Sequence, residues 1–112
     1  MTVSKLDKSA WRPYFDGMSK ILEGKRAEIE IDALSIGSQI EAEWLPLLGI
    51  SYDSNSDDLD IILEGLDHRI HRPKELFIDQ TAAELTSMEV IGEDDVHHIV
   101  KLRDPLMLPP LH

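Results

Sequence analysis

The apolar residues of this chain change period once, at Gly24, and that change limits the folds open to it. Before Gly24, Trp11, Phe15, Met18, Ile21 and Leu22 recur at near 3.6 spacing, which lines one face of a helix. The spacing predicts an amphipathic helix over Ser9–Leu22. Ser9 is its N-cap, Pro13 sits in the first turn where a missing N–H costs little, and Gly24 is the stop, with Lys25 and Arg26 near the negative end of the dipole. After Gly24 the period is two. Ala27, Ile29 and Ile31 alternate with Glu28, Glu30 and Asp32; Ile40, Ala42 and Trp44 alternate with Glu41, Glu43 and Leu45; Leu59, Ile61 and Leu63 alternate with Asp60, Ile62 and Glu64. Such alternation marks strands with one face in a core and one in water.

Further strands are expected at Leu47–Tyr52, with a bulge at Gly49, and at Leu76–Asp79 behind the helix-blocking Pro73. Thr86–Ile91 and His97–Leu102 read as a terminal hairpin around Gly92-Glu-Asp-Asp, and Thr81–Leu85 as a short helical turn. One helix followed by about seven closely spaced strands favours antiparallel neighbours. The fold class is α+β: an N-terminal amphipathic helix packed on a curled antiparallel sheet or a small, partly open β-barrel of about seven strands. Residues 1–103 form the single domain. Residues 104–112, with Pro105, Pro109 and Pro110 among Leu106, Met107, Leu108 and Leu111, form an extended proline-rich tail.

A hydrophobic fraction of 42% over 112 residues suffices for one core and is too high for a disordered chain. The absence of cysteine excludes disulfides, a thiolate nucleophile and a Cys-based zinc site. No apolar stretch marks a signal peptide or a membrane span, so the expected setting is cytoplasmic, with no membrane partner. The net charge is −11 and unevenly spread: residues 27–68 hold half of the 22 carboxylates and none of the 11 Lys and Arg. The entire net charge therefore lies in that segment. Its field repels phosphate backbones, which argues against nucleic acid, and attracts basic partners.

Three stretches carry a resemblance: Trp11-Arg12-Pro13-Tyr14-Phe15-Asp16, then Pro46-Leu47-Leu48-Gly49-Ile50-Ser51-Tyr52-Asp53 followed by Asp57-Asp58-Leu59, then His68-Arg69-Ile70-His71-Arg72-Pro73. In this order and spacing the chain resembles an uncharacterised bacterial family of short acidic proteins, a domain of unknown function. The resemblance implies a bacterial source and a one-domain unit. It supplies no catalytic residue.

Candidate chemistry is thin. Asp53, Asn55, Asp57 and Glu64 have the one-three-five-twelve spacing of a calcium loop. Against it, Asp58 replaces the glycine at position six, Asp60 the apolar residue at eight, and the flanks are strands. An Asx-rich turn is the simpler reading. Arg69 and Arg72 offer bidentate geometry to a small anion, but ion pairs to the chain's own carboxylates also account for them. His68, His71, His97 and His98 would make a zinc site only if they converged. Nothing in the sequence brings the two pairs together, so they are expected on the surface. No nucleophile elbow or glycine loop is present, and neither a cofactor nor an enzymatic activity is expected.

The surface is more informative. Glu28 and Glu30 share one face of their strand and Glu41 and Glu43 one face of theirs, so hairpin pairing would oppose like charges that a basic partner relieves. Leu106, Met107 and Leu108 add apolar surface on the tail. The function expected from sequence is a small non-enzymatic accessory domain that binds a protein partner, or itself as a homodimer, through the acidic face and the tail. A small-anion or divalent-cation binder is the first alternative, and a hydrolase-like enzyme working through carboxylates or histidines the last.

Overall fold

The computed structural model describes residues 2–81 and 84–104. The first element is a short strand, β1 (Thr2–Lys5), followed by helix α1 (Lys8–Leu22). The Leu6 amide bonds to the Leu76 carbonyl at 2.9 Å, so the chain turns at Asp7, and Asp7 rather than Ser9 becomes the N-cap. The cap carries no side-chain hydrogen bond; the Asp7 carbonyl accepts from the Ala10 amide. Trp11, Phe15, Met18 and Leu22 are buried, as the 3.6 spacing requires, whereas Ile21, expected on the same stripe, is exposed. Each large side chain contributes roughly 1.5–3 kcal/mol on leaving water. The Trp11 indole donates to the Leu6 carbonyl at 2.8 Å, so its polar edge is satisfied. Its ring meets Tyr52 edge to face at 5.1 Å. Gly24, at φ +87°, stops the helix in the left-handed region that glycine tolerates.

The other strands are β2 (Arg26–Ala33), β3 (Gly37–Asp53), β4 (Asp58–Leu63), β5 (Leu66–His71), β6 (Pro73–Thr81), β7 (Glu84–Gly92) and β8 (His97–Arg103). All pairings are antiparallel, in the order β1-β6-β7-β8-β2-β3-β4-β5. The fold is α+β, one helix on a curled, open antiparallel sheet, with eight strands rather than seven. β1 is too short, and β5 too interrupted by Asp67, His68 and Arg69, to show clear alternation. The two strands expected at 40–45 and 47–52 are one strand. β3 runs through Trp44 in the left-handed region (φ 53°) and through a register shift between Leu47 and Gly49. Its first half pairs with β2 and its second with β4, so it carries the sheet around its curl. Such bulges bend a strand without ending it. Of the helical turn expected at Thr81–Leu85, residues 82 and 83 lie outside the described residues; Thr81 is the end of β6 and pairs with Glu84, and Leu85 lies in β7 opposite Gln80. Lys25 does not serve the helix dipole in solvent. It is buried, and its ammonium bonds Glu84 at 2.8 Å and Asp104 at 3.0 Å.

The core lies inside the curl. Alternate residues of β4 (Leu59, Ile61, Leu63), β6 (Leu76, Ile78), β7 (Met88, Val90) and β8 (Val100, Leu102) meet the buried face of α1 there. Among the described residues no helix is long and apolar enough to cross a membrane.

Candidate functional site

The distal β2–β3 hairpin is where surface and sequence diverge most. Among the described residues, β2 has no further partner on its β8 side beyond Asp32, which pairs with His97. Among them too, β3 pairs from Gly37 to Leu45 with β2 alone, because β4 joins only at Leu47 and the Glu64 amide reaches no further than the Pro46 carbonyl. This part of β3 is a free edge with backbone groups open to another strand. The connecting turn carries Leu34, which is fully exposed, and Ile36, 55% exposed; Ile40 follows at 52%. Beside the hairpin a surface cleft of about 560 Å³ is lined by Asp32, Ala33, Leu34, Lys74, Ile91 and His97, among others.

The acidic residues expected to form a face lie on or next to this hairpin, but not as opposed like charges. Register shifts intervene on both sides of Ile29, so Glu30 stands opposite Ile40 and not opposite Glu41. On its other side Glu30 faces Ile99 of β8, and Glu28 faces Lys101, 3.9 Å away as an ion pair. Among the described residues Glu30, Glu41 and Glu43 form no ion pair. Leu106, Met107 and Leu108 lie outside the described residues.

The basic run is occupied internally. Arg69 donates to Asp60 at 2.7 Å, His71 to Asp58 at 2.6 Å, and Lys74 to Asp95; Arg72 lies 3.6 Å from Glu93. The His71 contact holds the Asp58 carboxyl below its ordinary range. These partners stand across β4–β5 and across the turn between β7 and β8, where antiparallel register brings them opposite. Arg69 and Arg72 are thus not brought together as a two-armed anion clamp.

The Asp53–Asp57 stretch is a tight turn between β3 and β4. Asp53 accepts from the Asn55 amide at 2.9 Å, an Asx turn. Asp57 accepts from the Tyr52 hydroxyl at 2.6 Å and from Lys8 at 2.9 Å. The Tyr52 hydrogen bond, helped by Lys8, lowers the Asp57 pKa, while burial and the Asp57 charge push the Tyr52 phenol up to about 12. Glu64 follows the far end of β4, roughly 20 Å along the strand. The four expected oxygens do not converge. Among the described residues no group of three or more His, Asp or Glu is placed to hold a metal ion.

The histidines depart from the surface scatter expected for them. His68 follows the inward phase of Leu66 and Ile70, and His98 that of Val100 and Leu102. The curl brings these strands face to face, and His68 Nε2 lies 2.9 Å from His98 Nδ1. Both rings are half-buried, which lowers both pKa values. His98, repelled also by His68, falls to about 4; Glu41 partly offsets the effect at His68. His97 points outward and bonds Glu89, and His71 bonds Asp58. A signal for the inward ring of His98 was its phase with Val100 and Leu102, and a signal for the hairpin tip was the pair of large apolar residues in a turn that normally carries polar ones.

Comparison with known proteins adds kinship without chemistry. Residues 2–111 match a family of unknown function, DUF5335. An uncharacterised protein of Aquifex aeolicus is 34% identical over 110 residues, covering 97% of this chain and 99% of its own, so the likeness extends over the whole unit and not one motif. No solved structure matches at a significant level.

Proposed function

The chain belongs to the DUF5335 family of unknown function, and from that premise we propose that it is a non-enzymatic accessory domain that binds a basic protein partner through the distal β2–β3 hairpin. The observation that carries this reading is the coincidence of three exposed large side chains, Leu34, Ile36 and Ile40, with a free strand edge on one hairpin. Apolar groups give a contact its core, and an open edge gives it backbone hydrogen bonds by strand addition. Glu30, Glu41 and Glu43 select the sign of the partner. A second copy of this chain would bring the same carboxylates and a further net charge of −11, so a basic partner fits better than self-association. The reading places the domain in the cytoplasm and treats residues 104–112 as an auxiliary apolar arm.

A photo-crosslinking residue at Ile36, with a control at exposed Lys20 on α1, tests this in extract of the source organism. Support is one basic protein captured at position 36 and not at 20, and lost both in high salt and in the Glu30→Lys, Glu41→Lys, Glu43→Lys variant. Equal capture at both positions, salt-insensitive capture, or crosslinking of the chain to itself would overturn the reading.

A further inference from the structure

We propose that His68 and His98 form a binding site for a divalent first-row transition-metal ion, one ring nitrogen from each side chain holding the ion between the facing layers of the curled sheet. The two residues are 30 apart in sequence, on β5 and β8, with β2, β3 and β4 between them in the sheet. They meet only because both follow the inward phase of their strands and the sheet closes over itself. The ring centroids are 5.1 Å apart, with planes at 58°, and Nε2 of one faces Nδ1 of the other at 2.9 Å.

The chemistry of the pair suits a borderline cation. Imidazole nitrogen is a preferred ligand of Cu²⁺, Ni²⁺ and Zn²⁺, and binds in its neutral form. Half-burial keeps both rings neutral. One nitrogen of the facing pair carries the hydrogen of the bond. Moving that proton to the outer nitrogen of the same ring leaves two lone pairs aimed into one gap, with both rings still neutral. Metal–nitrogen bonds of about 2.0–2.1 Å separate adjacent ligand nitrogens by roughly 3.0–3.4 Å, so the gap opens by a few tenths of an ångström and both rings, which face each other head-on, pivot until their lone pairs converge on an ion beside the line between them.

The charges around the pair favour a cation. Glu41 of β3 acts on His68, and Asp94 of the turn before β8 acts on His98. His97, the neighbouring histidine on β8, lies on the opposite face and is held by Glu89. With no third protein ligand grouped there among the described residues, water completes the coordination. The site is open and its ion exchangeable.

The test is titration of the chelator-stripped full chain with CuCl₂, NiCl₂ and ZnCl₂ by calorimetry, with ring resonances followed by NMR under substoichiometric Ni²⁺. The expected result is one ion per chain, Cu²⁺ bound tightest, and broadening confined to the His68 and His98 rings. His68→Gln and His98→Gln each weaken binding at least about tenfold, a change typical of losing a ligand contact, while His71→Gln and His97→Gln bind as the parent does. The NMR arm needs no variant and stands if a substitution impairs folding. Absence of binding, broadening centred on His71 or His97, or undiminished binding by both folded His68→Gln and His98→Gln variants overturns the proposal and leaves the pair a hydrogen bond.

Discussion

Two of the sheet's free margins, β5 and the distal part of β3, ended differently. β5 sets Asp67, His68 and Arg69 between Leu66 and Ile70, and the free part of β3 sets Glu41 and Glu43 beside Ile40 and Ala42. On β5 each outward charge from Arg69 to His71 is matched on β4, and the inward Ile70 is buried. On β3, Glu41 and Glu43 have no ion partner among the described residues, and the apolar residue at the same margin, Ile40, is half-exposed. The contrast follows from curl and bulge. β5 folds over the core, whereas the distal β2–β3 hairpin runs past His97, the first residue of β8, and pairs there with no other strand among the described residues. One margin is closed by its own charges; the other is left available.

Four measurements sharpen or break this contrast. The largest effect is expected from Ile70→Ala against Ile40→Ala in urea denaturation. The buried side chain costs about 2–4 kcal/mol and the exposed one less than about 0.5 kcal/mol. Equal losses would mean that the hairpin is covered after all.

The second concerns acid. Both members of the His68–His98 pair have folded pKa values below the ordinary ~6.5, His98 at about 4. As pH falls, the unfolded chain therefore takes up protons first. Stability is complete above about pH 6.5 and declines as pH drops toward 4, by roughly 1–2 kcal/mol once screening of half-exposed rings is allowed for. His98→Gln should flatten that slope in melts across this range. A His98→Gln protein with the parent slope would place the acid sensitivity elsewhere.

A third, smaller effect is expected from Leu34→Ser with Ile36→Ser: lower binding of a hydrophobic dye to the native protein, with the denaturation midpoint unmoved. Loss of stability instead would show that the tip packs on its own domain. Smallest of all, Arg69→Ala should leave the midpoint unchanged within error, since its pair with Asp60 is exposed on the arginine side.

Sequence alone determined the parts governed by local period. The phases of β2 and β4, the helix with Trp11, Phe15, Met18 and Leu22 of its stripe, the stop at Gly24 and the β7–β8 hairpin were legible, because each depends on residues a few positions apart. It also determined the location of the net charge. Sequence could not decide how far the sheet curls. That depends on β3 continuing through Trp44 and Gly49 instead of ending, a choice made by partners on both sides of the strand. From that choice follow the hairpin left without a neighbour, the bulges that keep Glu41 from facing Glu30, the separation of Glu64 from Asp53, and the meeting of His68 with His98. These are long-range outcomes of strand pairing, and no period within one segment encodes them.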